Sequence, residues 1–190
     1  MQGKREKLLR IYAREADPST PGQLLFLPHF SGSGNPFFCA DGLGAMYGLT
    51  LDTRREDIAR AMVEGLAYEL RLHLEALERA GIQLRAIRSV GGGATIDSQL
   101  QLKANITGLR VVKGAVTESS ALGAAAYAAC GVGALSNSAQ AYYAVREKET
   151  VFEPDEAAHA RFASQFAQYR RLAYAINGLD ACRTQSTGNR

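Results

Sequence analysis

The sequence predicts an α/β fold organised around one main domain. Three observations carry that expectation. Residues 84–90 (Leu-Arg-Ala-Ile-Arg-Ser-Val) form a strand pattern that ends in Gly91-Gly92-Gly93. Helical and extended patterns then alternate as far as residue 130, the order expected of a layered α/β unit. Long amphipathic helices flank this middle section, one opening at Thr53 and one near Pro154.

Each element has a local reason. Residues 4–16 place Leu8, Leu9, Tyr12 and Ala16 at helical spacing among Lys4, Arg5, Lys7, Arg10 and Arg14. This pattern reads as an amphipathic helix with a solvated basic face, in preference to a phosphate-binding patch. Asp17-Pro18 through Pro21-Gly22 ends it. Leu24-Leu25-Phe26-Leu27-Pro28 reads as a buried extended segment, and Ser31-Gly32-Ser33-Gly34-Asn35-Pro36 as a turn-rich loop. Gly42, Gly44 and Gly48 extend the irregular stretch, while Phe26, Phe30, Phe37 and Phe38 argue that it packs.

Thr53 and Glu56 have the spacing of a capping box at the start of the next helix. Ile58, Met62, Leu66, Leu70, Leu74 and Leu77 form its expected core stripe, with Arg60, Glu64, Arg71, Glu75 and Glu78 away from it. Gly81 is placed to end the helix in a left-handed conformation. After the glycine run a helix is expected over 98–107 on Leu100, Leu102 and Ile106, with Gly108 beyond its end. Arg110-Val111-Val112 reads as a strand, and Ser119 to Cys130 as a helix of Ala, Gly and Leu closed by Gly131 and Gly133. Gly131 to Tyr143 reads as a small-residue connector. In the last helix Pro154 suits a first position, Asp155 and Glu156 complement the dipole, and Phe162, Phe166, Tyr169, Leu172 and Ile176 make the apolar stripe. Residues 182–190 read as a polar, frayed tail.

Composition narrows the function classes. The chain has 190 residues, 46% hydrophobic and 22% charged, values of a globular protein. A net charge of +3 calls for no nucleic-acid partner. No apolar run approaches the ~18–20 residues of a membrane span, and Met1 to Arg10 is too polar for a signal peptide. Cys39, Cys130 and Cys182 are scattered and odd in number, which speaks against a disulfide framework and a CxxC metal site and for a reduced, cytoplasmic setting.

Among chemistry-bearing residues the glycine run stands out. Without Cβ atoms, Gly91-Gly92-Gly93 can pass close to a flat ligand such as a nucleobase, with the next helix offering N–H groups; a tight strand-to-helix turn is the structural alternative. It is neither a Walker A loop nor a spaced GxGxxG. Gly123-Ala124-Ala125-Ala126 lies inside a helix and permits close helix packing. His29, His73 and His159 fall in three elements, the last two read as helix-surface residues, and Glu64 and Glu118 read as buried or capping carboxylates. No nucleophile–base set emerges.

Several motifs in order resemble the C-terminal half of the FGGY family of carbohydrate kinases, of xylulokinase-like and glycerol-kinase-like type. They are Leu25-Phe26-Leu27-Pro28, Ser31 to Pro36, Gly44-Ala45-Met46-Tyr47-Gly48-Leu49-Thr50, Glu64-Gly65, Val90 to Ala94, Gln101-Leu102-Lys103-Ala104-Asn105 and Ser120 to Ala125. The resemblance covers residues 24–178. It implies a partial ribonuclease-H-like lobe of the actin-like ATPase superfamily, with several long helices, and a parent reaction that moves the γ-phosphate of ATP to a sugar or polyol hydroxyl. It also implies that Gly91, Gly92, Gly93 and Ala94 form the adenosine motif and that Asp97 reaches the purine or ribose. The turn at Gly48–Asp52, with Asp52 as its site residue, would flank the other side of the nucleotide, and the Gly123 helix would pack between lobes.

By the same resemblance the phosphate turns, the catalytic Asp and most magnesium ligands lie outside this chain, since no Asp-x-Gly-Thr-like turn occurs in it. The expected organisation is a helix and linker over 1–23, the kinase C-terminal domain over 24–178 without its first strands, and a disordered tail over 179–190. The expected partners are a missing N-terminal lobe, a sugar or polyol in the complete enzyme, and a second copy through exposed strand edges. The chain alone is expected to be inactive, bound to ATP weakly; a non-catalytic nucleotide-binding module and a structural remnant are the alternatives.

Overall fold

The computed structural model describes residues 18–114, 116, 118–145 and 149–187, so the basic helix expected over 4–16 lies outside the described residues. Strand β1 (Leu25–Leu27) pairs antiparallel with β2 (Ala45–Tyr47), with Phe26 opposite Met46. A second sheet runs β3 (Ile87–Ser89), β4 (Val111–Lys113), β5 (Thr150–Phe152), with β3 and β4 parallel and β4 and β5 antiparallel. The helices are α1 (Arg55–Arg79), α2 (Asp97–Thr107), α3 (Ser119–Gly131), α4 (Ala139–Val145) and α5 (Glu156–Thr187).

The core grows outward from β1. Its residues are all buried, as a run covered on both faces must be. Leu25 and Leu27 join Tyr68, Leu72, Leu102, Ile106, Phe162, Phe166 and Tyr169 in one cluster. Leu24 and Phe26 pack with Ala61, Ile58, Met62 and Met46. The expected stripe of α5 is therefore the stripe that packs, with Leu172 and Ile176 at its margin.

The expected stripe of α1 holds only in part. Ile58 and Met62 pack inward, but Leu66 is 59% exposed and Leu77 is exposed as well. The buried face is Ala61, Glu64, Gly65, Tyr68 and Leu72. The reason is distance: a Cβ on Gly65 would lie 2.2 Å from the carbonyl oxygen of Phe26, so α1 meets β1 backbone to backbone. A row of leucines cannot come that close. Glu64 is drawn in with this face, where its carboxylate accepts the N–H of Gly22 (3.0 and 3.1 Å) and Nε of Arg60 (2.7 Å). Burial pushes the Glu64 carboxyl above its ordinary range, against the pull of Arg60 and the Gly22 N–H.

The ends of α1 also differ from expectation. Asp57, not Glu56, reaches back to accept the N–H of Arg54 at 2.9 Å, while the Thr53 hydroxyl accepts the Thr50 N–H at 2.8 Å and closes the preceding turn. Gly81 ends the helix with φ +85°, as its position foretold.

Strand β2 and most of helix α4 fall in stretches expected to be irregular, and β5 in a stretch to which no element was assigned. Both strands are three residues long and are defined by their partners more than by their own pattern. Helix α5 starts one residue after Asp155, whose Oδ1 accepts the Ala158 N–H at 2.7 Å, so Pro154 precedes the cap instead of opening the helix. It continues to Thr187, so residues 179–187 are helical where a disordered tail was expected.

The aromatic loop after β1 is fastened to both long helices. His29 Nε2 lies 3.2 Å from Glu69 Oε1, Tyr169 donates to Glu69 Oε2 at 2.6 Å, and Phe37 packs edge-on to Tyr174. His73 Nε2 lies 3.5 Å from the same carboxylate. Burial works against the Glu69 charge, but His29, Tyr169 and His73 together hold its carboxyl below the ordinary range.

Three outcomes follow for stability. Gly65→Ala destabilises the chain in urea denaturation by about 1–3 kcal/mol or more, because backbone must retreat. Gly123→Ala, where a Cβ meets nothing within 4 Å, instead raises stability by about 0.5–1 kcal/mol. For Glu69 the folded pKa lies below the unfolded value, so its contribution is complete above about pH 4.3 and lost as pH falls through the folded pKa. Urea midpoints across acid pH should thus fall less steeply in Glu69→Gln than in the parent.

Candidate functional site

The parallel unit β3–turn–α2–β4 brings the glycine run to the carboxyl end of the sheet, where open α/β sheets bind ligands. Gly91 has φ +77° and ψ −169°, a combination essentially confined to glycine. Gly92–Ala94 then form one 3-10 turn, with the Ala94 N–H bonded to Gly91 O at 3.0 Å and the Thr95 hydroxyl to Gly92 O at 2.9 Å. Ala94, 5% exposed, is the anchor: it packs with Leu100, Ala104 and Val111.

The glycines face the other way. Gly92 and Gly93 are exposed, and a Cβ built on Gly91, Gly92 or Gly93 would meet nothing within 4 Å. Among the described residues nothing covers this stretch of main chain. An open floor of bare backbone, pinned from below by Ala94, accepts the face of a planar ring.

Asp97 is the first residue of α2, after Ile96, whose side chain has no acceptor with which to cap the helix. The Asp97 carboxylate accepts from Lys113 Nζ at 2.7 Å. Lys113 closes β4, and the next residue, Gly114, donates its N–H to Ser89 O at 3.2 Å and lies against Val90. The ends of β3 and β4 and the start of α2 thus form one rim. Lys113 was not singled out in the sequence; the available signal was a lysine at a strand end immediately before a glycine.

Asp52 is not brought to this rim. It lines a separate cleft of about 400 Å³ with Gly22, Gln23, Thr50, Arg54, Asp57 and Arg60, and none of Gly91 to Asp97 takes part. The charges around that cleft serve each other: Arg60 bonds Glu64 and the Thr20 carbonyl, and Asp57 bonds the Arg54 N–H.

The histidines hold structure together. His29 is buried beside Glu69, and His159, read as a surface residue, is half-buried against Gly108 with Nδ1 2.8 Å from the Asn105 carbonyl. Among the described residues no group of three or more His, Cys, Asp or Glu side chains is placed to hold a metal ion. No helix among them is long and apolar enough to cross a membrane.

Comparison with known proteins agrees with the geometry. The model of the "FGGY family of carbohydrate kinases, C-terminal domain" matches residues 2–132. A glycerol kinase of Halorhodospira halophila is 39% identical over 134 residues, which are 70% of this chain and 26% of that protein. A xylulose kinase of Staphylococcus epidermidis is 31% identical over 149 residues, 78% of this chain and 30% of the relative. The crystal structure of Plasmodium falciparum glycerol kinase with ADP superposes with a TM-score of 0.70 at 24% identity, covering 88% of this chain and 33% of that one. The chain spans about a quarter to a third of the length of these proteins. The shared fold is the α/β, actin-like ATPase class expected from the sequence.

The glycines separate by experiment. Gly91→Ala lowers stability by about 1–3 kcal/mol through its backbone angles. Gly92→Ala and Gly93→Ala stay within about 0.5 kcal/mol of the parent, since the added methyl enters open space. Thermal melts of the three variants check this order.

Proposed function

This chain belongs to the FGGY family of carbohydrate kinases, and from that premise we propose that it is the nucleotide-side, C-terminal part of an enzyme that phosphorylates a sugar or polyol hydroxyl. When bound, ATP supplies the phosphoryl group. The chain's own residues bind and orient the nucleoside. The main chain of Gly91 to Ala94 lies against the purine face, and the Asp97 carboxylate accepts a hydrogen from the base or ribose. Asp52, in its own cleft, is left outside this set.

The observation that carries the reading is the bare, exposed main chain at Gly92 and Gly93. Among the described residues nothing within 4 Å requires either residue to lack a side chain. A ligand lying flush on the backbone does require it. The bound ADP named for the Plasmodium falciparum glycerol kinase is a molecule of that shape.

Phosphoryl transfer further needs a clamp for the phosphates, a metal-binding carboxylate and a group that orients the acceptor hydroxyl. The sequence contains no Asp-x-Gly-Thr-like turn to supply the clamp. We therefore place those groups, with the magnesium ligands, on a separate N-terminal lobe, and assign this chain no turnover of its own.

Calorimetric or NMR titration with ADP tests the shelf. Weak, saturable binding is expected, and Gly92→Ala and Gly93→Ala weaken it about tenfold or more, about 1.4 kcal/mol. Binding that survives both substitutions unchanged would place the nucleotide elsewhere. A coupled ADP-release assay of the chain with MgATP and a panel of polyols and sugars is expected to read zero; sustained turnover would overturn the division of labour.

A further inference from the structure

Resting on the nucleotide reading above, we infer that Lys113 is a positioning residue that sets which nucleoside the glycine shelf prefers. Lys113 is held from both sides: it pairs with Ser89 of β3 and with Thr150 of β5. The sheet therefore delivers its ammonium to one place, the first turn of α2, where it meets Asp97 at 2.7 Å. Asp97 itself is 65% exposed and the lysine side chain 31%, so the lysine is the better anchored of the two. Without it the carboxylate would sample several rotamers at the rim.

The chemistry of the pair is selective. An ionised carboxylate only accepts hydrogen bonds. Ribose hydroxyls and the exocyclic amine of adenine can supply the hydrogen; in hypoxanthine a carbonyl replaces that amine and the edge's donor moves to N1–H, so a carboxylate fixed on the amine position meets an acceptor there. A carboxylate fixed in direction rewards a donor in one position, whereas a freely turning one rewards it less. Lys113 also offsets the Asp97 charge near the anionic phosphates, but that effect is common to every nucleotide and decays with added salt. Loss of positioning and loss of charge therefore read out differently: positioning alters the ratio of affinities between nucleosides, and charge alters them all alike.

The test titrates the whole chain with ADP, inosine diphosphate and 2′-deoxy-ADP, for the parent and for Lys113→Met, Lys113→Arg and Asp97→Asn. In Lys113→Met the preference for ADP over one of the two analogues falls about two- to fivefold, the range set by an exposed ion pair, with an unchanged melting temperature. Lys113→Arg restores it. The analogue whose ratio changes identifies the hydrogen donor, base amine for inosine diphosphate and ribose hydroxyl for 2′-deoxy-ADP. Asp97→Asn shows the same loss, and Lys113→Met adds nothing to it. Equal weakening of all three nucleotides, or additive losses in the double variant, overturns the positioning role while leaving the shelf intact. Failure of every nucleotide to bind the parent overturns the shelf and this inference with it.

Discussion

The close approach of Gly65 to the Phe26 carbonyl is the constraint on which the rest of the fold depends. With only 2.2 Å between that oxygen and the place of a side-chain carbon, α1 is seated directly on β1. Two consequences follow at once. The neighbouring Glu64 is carried into the interior and must find partners there, and it finds the Gly22 N–H and Arg60. The segment before β1 is tied down by the same stroke, because Gly22 stands three residues ahead of that strand. Burying this carboxylate is costly, as the upward pull on its pKa records. The cost is offset by the fixed position of the strand around which the main cluster gathers.

From that centre, order reaches the glycine shelf through α2. Leu102 and Ile106 belong to the cluster around β1, while Leu100 and Ala104 belong to the one beneath Ala94. A single helix therefore holds a foot in each core. Asn105 lies between the two sets and is nearly fully buried. Its side-chain oxygen accepts from Gln101 and from the Asp155 N–H, its nitrogen donates to the Pro18 carbonyl, and its own carbonyl meets His159. Removing that amide would take one partner each from Gln101, the Asp155 N–H and the Pro18 carbonyl, so the side chain ties α2 to the segments before β1 and before α5. The turn at its N-terminus is thereby tied to both cores through Leu100 and Ala104 on one side and Leu102 and Ile106 on the other.

Much of this was legible in the sequence, and the remainder follows a pattern. The strand–glycine–helix–strand–helix order, the end of α1 at Gly81 and the aromatic stripe of α5 were readable because each rests on residues close in the chain. What failed to show was set by distant partners. The partners of the buried Glu64 include Gly22, the role of His159 depends on Asn105, and β5 exists as a strand by pairing with β4; of these only the burial of Glu64 was anticipated. The leucine stripe of α1 misled for a related reason: periodicity finds the more apolar face, but close packing on a strand selects the smaller one. In the site, the glycine run and Asp97 could be found by motif, whereas Lys113 required the register of a sheet to bring it across 16 positions to Asp97.

The glycines themselves mark the boundary between what the chain settles internally and what it leaves to a ligand. Gly65 is explained from within, since any side chain would strike Phe26. Gly91 is explained by its backbone angles. Gly92 and Gly93 are explained by neither: their torsions lie outside the left-handed region, and the space beyond them is open. Glycine loses more conformational freedom on folding than any other residue, so two of them in an ordered turn weaken it unless something is gained. Inside the described chain nothing is gained. On the proposed reading the compensating contact is a ligand lying against the main chain, next to Ala94, which is locked into the core one residue later.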